Sequence, residues 1–302
     1  MALQEMDRKL LSGLMTERRN PRTQDLDLMS AEELLRVMNE EDHGVVDAVR
    51  QAIPQIAKVV KVVIRAFESG GRLVYAGAGT SGRLGILDAA ECMPTFSAGD
   101  KVVGVMAGGE QAFVVAKEGA EDSREAARED LQKIGLTNQD VLVALTASGR
   151  TPYCIGALEY AREVGAYCVG VSCNCPAVLS GYADTAIEVE TGPEILTGST
   201  RLKAGTAQKM VLNMISTASM VGIGKVYKNL MVDMKATNLK LEDRAVRIVC
   251  MATDCSEEEA RYALAQAGGQ MKAAIVMILA GVSCQEAQSR LGKQNGFVRR
   301  CL

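Results

Sequence analysis

The chain has 302 residues, 48% of them apolar, a net charge of −3, nine cysteines, a single histidine and no tryptophan. That is ample apolar material for a large core. The acidic balance and scarce aromatics exclude a general nucleic-acid binder, and no apolar run is long enough to span a bilayer. The first twenty residues carry charges throughout and no signal-peptide apolar block. The cysteines are scattered in apolar neighbourhoods, as at Cys154, Cys168 and Cys250, so a cytoplasmic protein is expected.

In chain order, residues 1–30 read as an extended N-terminal arm. A helix begins after the capping pattern Ser30-Ala31-Glu32-Glu33. A second helix is predicted through 45–67, with Val46, Val49, Ile53, Ile56, Val60 and Ile64 on one stripe and Pro54 as an irregularity. His43, in the charged run before it, is expected on the surface near a helix start. Strands are predicted over 72–75, 101–106, 140–145, 167–172 and 185–189. Between them lie helices over 84–92, 111–117, 123–134 and 152–164, and a long helix over 203–221 follows.

Val-rich strands alternating with helices predict an α/β sandwich, a five-stranded parallel sheet covered on both faces. This domain is expected to span 31–238. Four short helices over 241–251, 256–267, 271–279 and 283–291 predict a helical bundle at 239–302, two of them opening on the caps Ser256 and Ser283. Cys173-Asn174-Cys175 is too closely spaced for a zinc knuckle and has no second pair, so no metal is expected.

Three loops carry the chemistry. Gly77-Ala78-Gly79-Thr80-Ser81-Gly82-Arg83 follows a strand and opens a helix, where backbone N–H groups and the helix dipole favour an anion. Its glycines fit the dinucleotide spacing G-x-G-x-x-G, but two hydroxyl residues crowd a pyrophosphate and no acidic residue ends the second strand. Taken alone, a ligand-free tight turn accounts for it as well. Thr146-Ala147-Ser148-Gly149-Arg150-Thr151-Pro152 repeats the arrangement, and residues 198–206 open the long helix with hydroxyls and two cations. Together they predict a phosphosugar site at the C-terminal ends of the strands. The candidate contacts are Thr80, Ser81, Gly82, Ser148, Gly149, Arg150, Thr151, Ser199 and Arg201, although structural salt bridges account equally for the two arginines.

Thr16-Glu17-Arg18-Arg19-Asn20-Pro21, the 77–85 loop, Glu91-Cys92 with Pro94-Thr95-Phe96, and Glu118-Gly119-Ala120-Glu121-Asp122 resemble the N-acetylmuramic acid 6-phosphate etherases. So do residues 147–153, 203–209 and 229–233, and the resemblance runs over nearly the whole chain. It departs from the usual pattern at Met93 and Cys175. The resemblance implies a sugar-isomerase (SIS) α/β domain, a UBA-like C-terminal bundle and a homodimer. It also implies cleavage of the D-lactyl ether of N-acetylmuramic acid 6-phosphate, giving N-acetylglucosamine 6-phosphate and D-lactate in cell-wall recycling. Elimination of lactate followed by water addition needs an acid and a base but no cofactor.

The resemblance makes Glu91 the proton donor and Glu121 the base at C2. Glu91 ends an apolar helical segment, where desolvation would raise its pKa. Without the resemblance, Glu91 is a helix-end carboxylate and Glu121 an N-terminal charge on the helix after Ser123. Lys240 matches a family lysine near the site, and a solvated lysine at a helix start accounts for it equally. Two rivals remain: a phosphosugar isomerase on the same fold, and a sugar-phosphate sensor resembling the glucokinase regulatory protein.

Overall fold

The computed structural model describes residues 13–115, 117–235 and 238–302. The charged stretch before Gly13, and Thr237 of the Lys240 motif, lie outside the described residues. The chain forms two compact units. One holds the residues up to Ala89 and Lys101–Ile215; the other holds Ala90–Asp100 and Ser216–Leu302. This division differs from the expected boundaries at 30 and 238. Two of its boundaries fall inside the helices Gly79–Phe96 and Lys203–Gly222, and the third in the turn at Gly99–Lys101.

The first unit is built on five parallel strands, β1 (Leu73–Gly77), β2 (Val102–Met106), β3 (Val141–Leu145), β4 (Tyr167–Ser172) and β5 (Thr185–Glu188), in the order β2-β1-β3-β4-β5. β1 and β3 are buried along their whole length, as a sheet covered on both faces requires. Strand alternation sends Val74, Ala76, Leu142 and Ala144 into one core with Ala127 and Leu131 of α4 (Arg124–Lys133) and Cys154, Leu158 and Ala161 of α5 (Pro152–Val164). On the opposite face, Tyr75 and Leu145 pack beneath Gly85 of α2 (Gly79–Phe96).

The two helices expected over 30–67 are one, α1 (Ala31–Glu68), opened by the predicted capping box between Ser30 and Glu33. His43 is exposed in its interior rather than near a start. Gly44 and Pro54 cost about 1 and 3 kcal/mol in a helix interior. Burial of Val45, Val49, Ala52, Ile56, Val59 and Val63 outweighs this, at roughly 1.5–3 kcal/mol for each large side chain. That face packs on β1, β3 and β5. Of the predicted stripe, Val49 and Ile56 are buried and Val60 and Ile64 half-buried, whereas Val46 and Ile53 are exposed.

The expected extended arm is also different. Residues 13–29 form three short 3-10 turns, and Thr16, Asn20 and Thr23 are buried. Thr23 Oγ1 donates to the Ile195 carbonyl at 2.7 Å, and Asn174 Nδ2 donates to Thr16 Oγ1 at 3.1 Å. Side-chain hydrogen bonds to distant residues, not a local pattern, make this segment part of the first unit.

In the second unit, α7 (Leu239–Thr253), α8 (Glu257–Gln266), α9 (Met271–Ala280) and α10 (Cys284–Lys293) share one core with Tyr227, Val232 and Met234. Ser256 and Ser283 cap α8 and α10 as expected, and Asn238 caps α7. Asp233 accepts from Lys225 at 2.9 Å and Lys272 at 2.8 Å. All nine cysteines are free thiols, and among the described residues no single helix is long and apolar enough to cross a membrane.

Asp140 sets the start of the sheet. Its Oδ1 accepts from Arg72 N at 2.8 Å, and its Oδ2 accepts from Arg72 Nη2 at 2.8 Å and Thr137 N at 2.9 Å. Burial alone would raise its pKa, but these donors outweigh burial and hold the carboxyl below its usual value. Removing a buried partner of this kind costs about 3 kcal/mol, so Asp140→Asn should lower unfolding free energy at pH 7 by that order in denaturant melts. A depressed carboxyl stabilises above its unfolded pKa of about 3.9 and loses that contribution as pH falls through the folded value. The gap between wild type and Asp140→Asn should therefore close below about pH 4, which acid titration of stability measures.

Candidate active site

β1 lies between β2 and β3, so connections leave it in opposite directions and open a crevice at the strand ends. The loops predicted to hold an anion follow β1 and β3, on either side of this crevice. Sequence reasoning started the helix after β1 at Leu84, but α2 begins at Gly79. Thr80, Ser81 and Gly82 are therefore in its first turn; Gly82 N donates to Ala78 O at 3.1 Å, and the Thr80 and Ser81 amides stand at the helix N-terminus.

The glycines of this loop serve packing first. A Cβ on Gly82 would stand 2.6 Å from the Gly77 carbonyl oxygen and 2.8 Å from Met106 Cβ. One on Gly77 would stand 2.8 Å from Gly82 N. The dinucleotide-like spacing thus reflects close contact of α2 with β1.

The three predicted loops meet in the first unit. Gly77 sits against the Leu145 carbonyl at the end of β3, and a Cβ on Gly205 would lie 3.7 Å from the Thr80 methyl. Cys173, after β4, links the other two: its amide donates to Ala147 O at 3.0 Å and its thiol to Ala204 O at 3.6 Å. In the 146–151 loop, Thr146 Oγ1 is 3.3 Å from Ser148 Oγ and 2.7 Å from Thr151 Oγ1, so one buried hydroxyl orients both predicted contacts. Ser148 Oγ also accepts from Arg150 N at 3.3 Å. Gly149 holds φ +73°, and a Cβ there would strike Ala177 Cβ at 2.6 Å. Arg150 and Thr151 are half-buried, as is Ser199, whereas Arg201 is exposed.

Sequence reasoning missed the supports beneath the third loop. Glu194 is fully buried and accepts from Lys203 N at 2.9 Å and Ala204 N at 3.0 Å, capping α6 (Lys203–Gly222). Burial is the largest influence on its carboxyl and raises the pKa. Lys203 Nζ donates to Glu41 at 2.8 Å, and Glu41 also accepts from Asn20 at 2.8 Å and Arg22 at 3.1 Å. Lys203 is thus occupied inside the fold rather than offered to a ligand. No local spacing connects residues 20, 41, 194 and 203, so no sequence pattern could have found this network.

Glu121 follows the left-handed Gly119 and lines a cavity of about 170 Å³ with Ala78, Gly79, Arg83, Lys117 and Glu118. Its carboxylate is therefore beside the β1 loop. Glu91 and Lys240 belong to the second unit, and both are exposed. The expected desolvation of Glu91 by its own helix is not observed, because Leu87, one turn before it on the same face, is exposed too. Lys240 sits in the first turn of α7, two residues after the Asn238 cap.

Residues 122–218 match the SIS domain family, and residues 55–162 match the glucokinase regulatory protein N-terminal SIS domain. Among curated proteins, the N-acetylmuramic acid 6-phosphate etherase of an Exiguobacterium strain is 58% identical over 97% of this chain and 100% of its own. That of Geobacillus strain WCH70 is 58% identical with the same coverage. N-acetylmuramic acid 6-phosphate etherase 2 of Lactiplantibacillus plantarum is 57% identical over 97% of this chain and 99% of its own.

The Gly77–Gly82 contact generates a direct test. Gly82→Ala places a methyl against backbone that cannot swing aside, an overpacking cost of about 1–3 kcal/mol. Thermal unfolding should show a lower Tm, and calorimetric titration should show weakened sugar-phosphate binding as the first turn of α2 moves off β1.

Proposed function

The chain belongs to the N-acetylmuramic acid 6-phosphate etherase family, and from that premise we propose how its residues divide the reaction. It is a carbon–oxygen lyase that acts on a phosphorylated amino sugar, N-acetylmuramic acid 6-phosphate, and releases lactate. An alkoxide leaves an ether reluctantly, so direct hydrolysis is slow. Ring opening exposes the C1 aldehyde and acidifies the C2 proton. The Glu121 carboxylate removes that proton, and the electron pair forms the C2–C3 double bond as the C3–O bond breaks. Glu91, as the acid, protonates the departing lactate oxygen. Water then adds at C3 of the unsaturated aldehyde on the same face, with Glu91 now accepting its proton and C2 regaining one. The products are N-acetylglucosamine 6-phosphate and D-lactate, as cell-wall recycling requires.

The observation that carries the base assignment is the place of Glu121, in a cavity edged by the glycine loop after β1 and by Met106 and Ala107 at the end of β2. The first turn of α2 and the hydroxyls of Ser148, Thr151 and Ser199 supply neutral donors for the sugar and its phosphate, with Arg150 and Arg201 as cations. Lys240, exposed on α7, is assigned to the lactyl carboxylate or the aldehyde oxygen. Glu91 is exposed in its own chain.

A homodimer fits the surface of α1. Leu35, Val46 and Ile53 are exposed and fall on one stripe, eleven and seven residues apart. Charge placed there by Val46→Glu with Ile53→Glu should convert the dimer to monomer in light scattering and reduce lactate release. The free thiols suit a reducing compartment, which supports a cytoplasmic enzyme.

Incubation with N-acetylmuramic acid 6-phosphate in ¹⁸O-labelled water tests the reaction. D-lactate should appear and the label should enter at sugar C3. Binding without lactate would favour the sensor, and lactate without label at C3 would rule out elimination and addition. Glu121→Gln should abolish solvent exchange at C2, whereas Glu91→Gln should mainly slow lactate loss. Each is expected to lower kcat by about 10²–10⁴-fold, the usual contribution of a positioned acid or base.

A further inference from the structure

Arg83 both lines the Glu121 cavity and bonds the stretch of chain that leads to it. Its Nε donates to the Phe113 carbonyl at 2.8 Å, and its Nη2 donates to the Ala112 carbonyl at 2.8 Å. These carbonyls belong to α3 (Gln111–Val114), a single turn rather than the helix over 111–117 that the sequence predicted. Carbonyls at a helix end lack donors from the next turn, and a guanidinium satisfies two at once.

Ala120, next to Glu121, packs against the core of the first unit and its turn rests on α5, whereas the residues around α3 are held less. Ala112 alone is buried in α3, and Phe113, Val114 and Val115 are exposed. Gly108 and Gly109 precede it at φ +87° and +72°, and Gly119 follows at φ +75°. The two sides of the stretch touch at Gly108: a Cβ there would lie 3.0 Å from Ala112 Cβ and 3.1 Å from Lys117 Cδ. Ala112, Gly108 and the Lys117 stem thus form one contact. Lys117, Glu118 and Glu121 line the same cavity as Arg83.

We propose that Arg83 is a positioning residue: from the first turns of α2 it clamps the Ala112 and Phe113 carbonyls and thereby sets the place of the Glu121 carboxylate. The inference rests on Glu121 being the base at C2. It couples the loop that holds the sugar phosphate to the group that removes the proton, because both depend on one helix start. Two of its five N–H donors, on Nε and Nη2, are committed to backbone carbonyls, which ties Arg83 to the segment.

Kinetics and hydrogen–deuterium exchange of Arg83→Gln, Arg83→Lys and Gly108→Ala test this. Arg83→Gln should lower kcat for lactate release about ten- to a hundredfold with KM changed by less than about threefold, since a misplaced base costs rate without costing binding. Exchange should rise in peptides covering 108–121 and stay unchanged in β1 and β3. Arg83→Lys should recover part of kcat, because an ammonium can hold one of the two carbonyls. Gly108→Ala should lower kcat in the same way with Arg83 intact. A raised KM at unchanged kcat would make Arg83 a substrate ligand and overturn the proposal, and so would unaltered exchange over 108–121 in Arg83→Gln. Should Arg83→Gln not fold, Arg83→Lys and Gly108→Ala decide by the same readouts. If wild-type protein released no lactate, the etherase function would fail, whereas the exchange measurement would still test the clamp.

Discussion

Where α2 leaves β1, the backbone at Gly82 approaches the Gly77 carbonyl so closely that a methyl group would stand 2.6 Å from it. Much of the first unit follows from this contact. It places the first turn of α2 at the ends of β1 and β2, with the amides of Thr80 and Ser81 at the helix N-terminus. It brings Thr80 beside Gly205 at the start of α6, and it directs Arg83 to the carbonyls of Ala112 and Phe113. The glycines serve a ligand indirectly, by letting a helix dipole come near the sheet edge.

Two groups of polar residues hold the rest of the unit, one at each end of the sheet. At the strand starts, Asp140 joins Arg72 and Thr137. Toward the strand ends, Glu194 caps α6 while Glu41 gathers Lys203, Asn20 and Arg22. Asp140 and Glu41 are satisfied in part by partners distant in sequence, Arg72 and Lys203, which gives directional specificity that apolar packing lacks. Residues 16–23 depend on this arrangement: their short turns have no apolar face of their own and are fixed by Asn174, Ile195 and Glu41.

Local patterns gave the five strands nearly to the residue, because Val-rich runs bounded by glycine and polar residues have few alternatives. The caps at Ser30, Ser256 and Ser283 were equally legible, being interactions over three residues. α1 was misread as two helices because the charged run ending at Gly44 resembles a break, while the sheet surface that overrides it is made by three strands lying well outside the helix in sequence. Val46 and Ile53 were wrongly placed on its buried stripe for a related reason: they are as apolar as Val45 and Ala52, and periodicity alone cannot say which edge of the stripe meets the sheet.

Of the candidate site, the sequence by itself determined the chemical vocabulary: hydroxyls and glycines at strand ends, two glutamates in recognisable motifs, and membership of a phosphosugar-processing family. Only the tertiary structure decided that Gly77 and Gly82 touch, that Lys203 is spent on Glu41, that Thr146 orients Ser148 and Thr151, and that Arg83 reaches the Glu121 segment. It also decided that Glu91 is exposed rather than desolvated by its own helix. The physical reason is the range of the forces. Propensity, capping and turn chemistry act over a few residues and can be read along the chain. Desolvation, side-chain pairing and close backbone contact depend on which distant segments the sheet brings together.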